Sequence, residues 1–252
     1  MSDPHAGKPP HSSETPLDVR ERGAAIGGEP QFLDSRLFMQ LLVFRHTAPA
    51  RARAGVAELS ESLRAAKVPS VVYEDVNDPA GFGVLTFSEE PLDFVTKVRP
   101  ALAEHGAELE LRPEFTMLGR SYSSGFEPDL RFWLLERPRA TVLNEAWPWA
   151  IWYPLRRTGA FARLEPRDQG GILREHGTIG KTYAAADLAH DVRLACHGLD
   201  ANDNEFVIGL IGKALHPLSH VVQAMRTTRQ TAEFIEQMGP FFVGRAVFRN
   251  AG

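Results

Sequence analysis

Cysteine is almost absent from this chain. Cys196 is the only one among 252 residues, which excludes a disulfide within the chain and any zinc or iron–sulfur site built from several thiolates. Such sparing use of cysteine fits a reducing compartment, and we therefore expect a cytoplasmic location.

Long apolar runs and an excess of one charge are also missing. No segment approaches the roughly 18–20 apolar residues that span a bilayer, and the first 31 residues contain no apolar stretch of the kind found in secretory signals. The 28 basic and 32 acidic side chains give a formal net charge of -4, without the basic excess typical of nucleic-acid-binding proteins. We therefore expect neither a membrane nor a nucleic acid as a partner.

The order of predicted elements indicates two similar halves. Residues 1–31 are rich in Pro, Gly, Ser and charge and are predicted to be a disordered tail. Strand-like and helix-like segments then follow the ferredoxin-like order β-α-β-β-α-β over residues 32–118 and again over 145–252. A partly helical connector is predicted at 119–144. We expect an α+β fold in which the two halves form a dimeric α+β barrel, with face-to-face packing of two sheets as the alternative.

Three long helices are predicted from the sequence. The first covers Ala50 to Lys67, where apolar residues recur at helical spacing. The second runs from Pro166 to about Ala185 and is expected to be broken or shortened near Gly177 and Gly180. The third begins near Pro217 and is expected to reach about Met238.

The aromatic and basic segment 147–157 is the most unusual stretch of the sequence. Alternation along a strand places Tyr153 on one face and Trp152 on the other, with Arg157 at the end. An aromatic wall that ends in guanidinium groups suits a flat apolar ligand carrying carboxylates, because Arg binds carboxylates through two hydrogen bonds. Arg120 and Tyr122 could extend the same anion-binding site. The alternative is a core strand followed by solvated arginines.

His176 has an unusual context among the nine histidines. It lies on a predicted amphipathic helix just before Gly177 and close to Gly180, and glycine lets a flat ligand or a second backbone approach closely. A helical histidine without a partner at i+4 is a poor zinc site, whereas one histidine is sufficient to hold a haem iron. Spacing alone also allows a structural or capping role.

The second half contains several blocks in a defined order. They are Trp-Tyr-Pro-Leu-Arg-Arg (152–157), Glu-His-Gly-Thr-Ile-Gly-Lys (175–181), Gly-Leu-Asp (198–200), Glu-Phe-Val-Ile-Gly (205–209), Ala-Met-Arg (224–226) and Gly-Pro-Phe-Phe-Val-Gly (239–244). In their order and approximate spacing these blocks resemble the chlorite dismutase family, which includes the peroxide-dependent coproheme decarboxylases. The first half fits that family by architecture only.

The resemblance implies haem b or coproheme, with its iron, bound in the C-terminal half of a ring-shaped homo-oligomer, often a pentamer. It assigns His176 as the iron ligand and Tyr153 as the tyrosine that forms a radical near a propionate. Arg157 would position the propionate or support proton transfer, and Arg120 and Tyr122 are less specific matches for propionate contacts. Because the motif for covalent haem attachment is absent, the haem would be held noncovalently through histidine.

The expected function is that of a haem-dependent oxidoreductase that uses peroxide, closest to coproheme decarboxylase. Three alternatives stay open, namely decomposition of chlorite to chloride and dioxygen, haem binding or sensing with little turnover, and retention of the fold without haem. Where this chain has Ala224-Met225-Arg226, the family often reads Glu-Met-Arg. If that glutamate orients the proximal imidazole, its loss makes His176 a weaker electron donor to iron and disfavours chlorite chemistry.

The distal residue, which would face the iron from the side opposite His176, is less well defined. Counting along the family pattern reaches Ala189, a small gap brings in His190 or Asp191, and Arg193 is a further alternative. We assign His190 as the distal acid–base residue, because an unperturbed imidazole titrates near pH 6.5.

Overall fold

The computed structural model describes residues 17–252, so residues 1–16 of the predicted tail lie outside the described part. The fold is a mixed α and β structure built on antiparallel strands, in agreement with the predicted class. The strands are β1 (Glu21–Ile26), β2 (Glu29–Leu33), β3 (Phe38–His46), β4 (Ser70–Asp75), β5 (Gly81–Ser88), β6 (Leu109–Leu111), β7 (Met117–Arg120), β8 (Trp149–Arg157), β9 (His190–Ala195), β10 (Phe206–Gly212), β11 (Ile235–Met238) and β12 (Phe242–Asn250).

Seven α-helices accompany these strands in the described part of the chain. Short helical turns at Phe94–Val98 and Phe132–Glu136 lead directly into the second and third of them. Among residues 17–252, no helix is both long and apolar enough to cross a membrane. The helices are α1 (Ala52–Ala65), α2 (Arg99–Ala103), α3 (Arg137–Leu143), α4 (Gly159–Ala162), α5 (Pro166–Ala185), α6 (Leu215–Met225) and α7 (Arg229–Phe234).

Strand pairing in the main sheet runs in a circuit. Within the first half the order is β7-β3-β5-β4, within the second it is β12-β8-β10-β9, and the pairs β4–β12 and β7–β9 join the two halves. The link between β7 and β9 consists of one pair, Arg120 opposite Ala195. The circuit gives the sheet an inner and an outer face, and alternate residues of each strand point to opposite faces.

The inner face holds the largest hydrophobic cluster. This cluster includes Trp152, whose side chain is fully buried. Gly209 lies opposite Trp152 on β10, and a Cβ at Gly209 would lie 2.5 Å from the indole ring. On the outer face, α1 and α2 cover the first half and α5 and α6 cover the second. Gly209 is the glycine of the Glu-Phe-Val-Ile-Gly block, and its lack of a side chain makes room for the buried Trp152 ring.

Two helix predictions for the second half are wrong. Helix α5 runs without a break through Gly177 and Gly180, because Pro166 suits its first turn and Ile172 anchors it in a small apolar cluster. The predicted helix beyond Pro217 ends at Met225. The Thr228 side chain then accepts a hydrogen bond from the Thr231 N–H and starts a separate helix, α7, which β11 follows.

The predicted disorder is also wrong for the end of the tail. Residues 21–33 form a hairpin of β1 and β2, turned by Gly27 and Gly28, whose φ angles are +60° and +91°. Two consecutive glycines at positive φ are the preferred turn of a two-residue hairpin. The Glu21 carboxylate attaches the hairpin to the body of the protein by ion pairs with Arg36 and Arg120. The prediction of disorder was based on composition, which takes no account of the Gly27-Gly28 turn.

Candidate functional site

The outer face of β8, β10 and β9 forms the floor of the candidate site. Tyr153 lies opposite Ile208, which lies opposite Arg193, so these three residues form one row across the strands. Asp191 belongs to the next row. Because adjacent strands lie about 4.8 Å apart, the backbones of Tyr153 and Arg193 are separated by about 10 Å. A hydrophobic floor of this width is bordered by a phenol on one side and charged groups on the other.

Helix α5 passes over this floor and carries His176. Gly180 lies one turn further along, on the same face of the helix as His176. A Cβ at Gly180 would meet only the Met225 methyl group, at 3.7 Å, and a Cβ at Gly177 would meet no atom within 4 Å. The helix surface next to the imidazole is therefore bare, which suits a flat ligand lying against it.

The His176 imidazole is in the state that an iron ligand requires. Burial lowers its pKa, nearby Arg193 lowers it further, and the opposing charges of Glu175 and Asp191 do not offset these effects. The ring is therefore neutral at pH 7. Its Nδ1 lies 3.2 Å from the hydroxyl of Thr228. A neutral imidazole with one nitrogen engaged and the other available is the usual form of a metal-ligating histidine.

Tyr153 is 5 % exposed and stacks on Phe241, with ring centroids 4.7 Å apart. Burial raises the pKa of its phenol, and the charge of Asp191 raises it further while that of Arg226 lowers it. The group is therefore a neutral phenol across the physiological range. Asp191 influences the pKa of both Tyr153 and His176. All three residues lie where α5 packs over the outer face of the sheet, a region called here the space between α5 and the sheet.

A carboxylate held by two guanidinium groups borders this space. The Nη2 of Arg137 lies 2.6 Å from the Asp191 carboxylate, and the Nε of Arg193 lies 3.0 Å from its other oxygen. Burial opposes ionisation of Asp191, but the two arginines outweigh it and lower the pKa of the carboxyl group. The Arg193 side chain is 44 % exposed and thus remains accessible to a ligand.

The structure does not bring His190 to this space. His190 lies on the inner face of β9, stacked on Trp147 with ring centroids 3.6 Å apart and paired with Asp187 at 2.9 Å. Because side chains alternate along a strand, the next residue, Asp191, points to the outer face instead. Of these two neighbouring residues, Asp191 and not His190 therefore faces the floor of the candidate site.

Arg157 lies on the same face of β8 as Tyr153, and its charge is already paired. It forms a tight ion pair with Glu205, whose carboxylate also accepts the Arg157 backbone N–H at 2.9 Å. The guanidinium stacks on Phe206 at 4.7 Å, and the ring of Tyr122 lies 5.4 Å from the same phenylalanine. Arg157 and Tyr122 therefore meet at one end of the floor.

Arg120 is directed elsewhere. Its Nη1 donates to the Glu21 carboxylate at 2.9 Å, so it holds the hairpin rather than the floor of the site. Three residues that interact with the site were not predicted: Arg137 with Asp191, Arg226 with Tyr153, and Thr228 with His176. Arg226 belongs to a quoted block and Thr228 follows two residues later, so their position next to that block was the available signal. Nothing in the sequence pairs Arg137 with Asp191, 54 positions away.

Two other features fall outside this site. A groove of about 570 Å³ lies in the first half between β3 and α2, but its lining is apolar apart from Gln40 and Arg99 and supplies no acid–base pair. Among residues 17–252, no group of three or more His, Cys, Asp and Glu side chains is arranged to hold a metal ion. Haem iron differs in this respect, because one histidine can bind it.

The comparisons with known proteins agree on one fold. A family model described as Chlorite dismutase matches residues 51–247. TA0507, solved as a candidate chlorite dismutase, is 15 % identical with a TM-score of 0.67, over 84 % of this chain and 95 % of that one. A heme-binding protein from Thermus thermophilus is 19 % identical with a TM-score of 0.64, over 85 % and 92 %.

A further solved structure gives the same result. A mutant chlorite dismutase from Candidatus Nitrospira defluvii, in complex with cyanide, is 15 % identical with a TM-score of 0.65, over 85 % of this chain and 92 % of that one. No curated protein sequence matches the chain. At these identities the structural likeness shows the fold alone.

Proposed function

The chain belongs to the chlorite dismutase family, and from that membership we propose that it is a haem-dependent oxidoreductase that uses peroxide to decarboxylate coproheme. Its cofactor is haem b or coproheme with its iron, in keeping with the family and with a haem-binding structural neighbour. The observation that carries the proposal is Tyr153, a buried neutral phenol on the outer face of β8, the same face as Asp191.

His176 is the residue that would bind the iron, through its Nε2. The bare surface of α5 next to it and the apolar floor opposite are the kinds of surface that a flat macrocycle would contact. Arg226 and Arg193 supply positive charge for the propionates, because guanidinium groups bind carboxylates in a bidentate geometry. When bound, the iron supplies the redox chemistry that activates peroxide.

Tyr153 is the residue that would pass the oxidation to the propionate. Its phenol loses an electron and a proton and then recovers a hydrogen atom from the propionate side chain, so it ends each turnover unchanged. The overall change converts R–CH2–CH2–COOH and H2O2 into R–CH=CH2, CO2 and two H2O. The C–C bond to the carboxyl group, one C–H bond and the carboxyl O–H bond break. The two electrons and two protons that are released reduce hydrogen peroxide to two water molecules.

Asp191 is the residue that would handle the proton of the peroxide. Its carboxylate is ionised, because Arg193 and Arg137 lower its pKa, and it is fixed in place by the 2.6 Å contact with Arg137. An ionised and oriented carboxylate would accept a proton from hydrogen peroxide and give it up to the water that is formed. Arg157 shares its charge with Glu205 and would orient a propionate at the far end of the floor.

Chlorite decomposition is the second candidate, and one observation favours it. The Arg193 guanidinium lies in the same row as Tyr153 and is partly exposed, so it could attract an anionic oxidant. Its charge is shared with Asp191, 3.0 Å away, and that carboxylate repels chlorite but not neutral hydrogen peroxide. The balance of these charges favours peroxide.

The test is to load the purified protein with coproheme, add hydrogen peroxide and follow the porphyrin by mass spectrometry. Stepwise loss of CO2 to give haem b supports the proposal, and unchanged coproheme with no haem b contradicts it. An oxygen electrode with added chlorite tests the second candidate in the same preparation. A haem absorption band without turnover in either assay would indicate haem binding or sensing.

We also infer that the two halves are ferredoxin-like units that form a dimeric α+β barrel. The order βαββαβ and the sheet orders β7-β3-β5-β4 and β12-β8-β10-β9 support this classification. A homo-oligomer, with a pentamer as the expected form, and a cytoplasmic location belong to the same proposal. Sedimentation velocity of the haem-loaded protein tests the subunit number.

A further inference from the structure

The Thr228 hydroxyl is an uncharged hydrogen-bond partner of the His176 ring. Thr228 is 1 % exposed, and its Oγ1 lies 3.2 Å from His176 Nδ1 and 2.8 Å from the carbonyl oxygen of Met225. The residue lies in the turn between α6 and α7, where it also caps α7. The turn is therefore attached directly to the helix that carries His176.

Counting protons assigns the roles within this network. A threonine hydroxyl has one proton and two lone pairs. The Met225 carbonyl cannot donate, and at 2.8 Å it is a shorter contact than the Thr231 hydroxyl at 3.3 Å, so it takes the hydroxyl proton. The hydroxyl oxygen must then accept from His176, which places the ring proton on Nδ1 and leaves the Nε2 lone pair free.

Among residues 17–252, no carboxylate takes the place of this hydroxyl as the hydrogen-bond partner of the His176 ring. The adjacent Glu175 is engaged elsewhere, since its Oε2 accepts the backbone N–H of Arg229 at 3.2 Å. A carboxylate partner raises the basicity of a ligating histidine, whereas a neutral oxygen does so much less. The contacts of Glu175 with Arg229 and of His176 with Thr228 hold the turn against α5. Neither contact brings a carboxylate into a hydrogen bond with the imidazole ring.

We propose that Thr228 is a positioning residue for the axial ligand: it holds His176 in the Nδ1–H tautomer, aims Nε2 at the iron and, being neutral, keeps the imidazole a weak electron donor. This inference rests on the proposed function only in taking His176 as the iron ligand. The tautomer assignment itself concerns the protein without haem.

The first experiment needs no haem. Nitrogen-15 spectra of the histidine side chains in the haem-free protein, assigned with His176→Ala, report which ring nitrogen carries the proton. We expect Nδ1–H for His176 in the wild type and in Thr228→Ser, and a shift toward the other tautomer in Thr228→Val. A proton on Nε2 in the wild type would overturn the inference.

The second experiment measures the iron–histidine bond in the ferrous haem-loaded protein. Thr228→Asp keeps an oxygen that can cap α7 and introduces a carboxylate, so we expect a higher iron–histidine stretching frequency and a lower midpoint potential. Thr228→Val removes the acceptor, and we expect haem affinity about 10-fold weaker. Thr228→Ser should match the wild type in both measurements.

The outcomes separate the two claims. If His176→Ala retains the iron–histidine band, the ligand assignment fails. If that band is lost in His176→Ala but Thr228→Asp leaves both the frequency and the potential unchanged, the positioning role fails while the ligand assignment stands. A structural role in capping α7 alone predicts that the Asp variant resembles the wild type, because Asp caps a helix as well as Thr does.

Discussion

His190 and Asp191 are consecutive in sequence, yet their side chains lie on opposite faces of β9. His190 stacks on Trp147 inside the sheet circuit, and Asp191 is held by Arg137 on the outer face, in the space that His176 and Tyr153 border. Only one of the two can therefore act on a ligand in that space. The alternation of a strand, rather than the intrinsic pKa of the residue type, decides which one.

The matched variants Asp191→Asn and His190→Asn test this relationship. Loss of a positioned acid–base group typically slows a reaction by 10²–10⁴-fold, so we expect the reaction of the haem-loaded protein with hydrogen peroxide to be about 100-fold slower in Asp191→Asn and within about threefold of wild type in His190→Asn. Stopped-flow absorption of the haem band measures both rates. A large effect in His190→Asn alone would restore His190 as the distal residue.

Tyr153→Phe is expected to separate haem binding from decarboxylation. The substitution removes only a hydroxyl, and a swap that conserves volume in a core usually costs less than about 1.5 kcal/mol. The stack on Phe241 is retained. We therefore expect a normal haem absorption band and a loss of CO2 release under the coproheme and peroxide assay. Decarboxylation at the wild-type rate would show that the oxidation takes another route.

Much of this site could be predicted from local patterns. Strand alternation placed Tyr153 and Trp152 on opposite faces, and the structure has them in separate clusters on the two faces of the sheet. The helical position of His176 also follows from the sequence. These predictions concern which face a residue occupies within one element, and the period of a helix or a strand is sufficient to decide it.

The remaining features depend on the phase of an element or on distant partners. Whether His190 or Asp191 faces outward depends on how β9 is aligned with β10. The sequence before β9 does not define where the strand begins, so it does not define this alignment. The ion pair of Arg137 with Asp191 joins residues 54 positions apart, and Glu21 reaches Arg120 across 99 positions. Tertiary contacts at such separations are set by strand register in the folded sheet, which composition and periodicity do not specify.

Two glycine substitutions are expected to change stability in opposite directions. A Cβ at Gly209 would lie 2.5 Å from the buried Trp152 ring, so Gly209→Ala should destabilise the protein by about 1–3 kcal/mol through overpacking. Gly170 lies inside α5, where an added Cβ would meet no atom within 4 Å, so Gly170→Ala should stabilise the protein by about 0.5–1 kcal/mol. Urea unfolding at pH 7 measures both, and destabilisation by Gly170→Ala would contradict the open environment seen for this helix.

The charge of Asp191 is also expected to make stability depend on pH. Burial opposes its ionisation, but Arg193 and Arg137 lower its pKa below the ordinary value of 3.8. A carboxyl group whose pKa is lower in the folded state stabilises that state above the unfolded pKa, and the contribution is lost as the pH falls through the folded pKa. The free energy of unfolding of the wild type should therefore exceed that of Asp191→Asn at pH 7 and at pH 5, and the difference should shrink below about pH 4. Urea titrations at pH 7, 5 and 3 measure it. A difference that is constant across these three values would mean that the Arg137 and Arg193 contacts do not stabilise the ionised carboxylate, and the assignment of Asp191 as an ionised distal residue would fail with it.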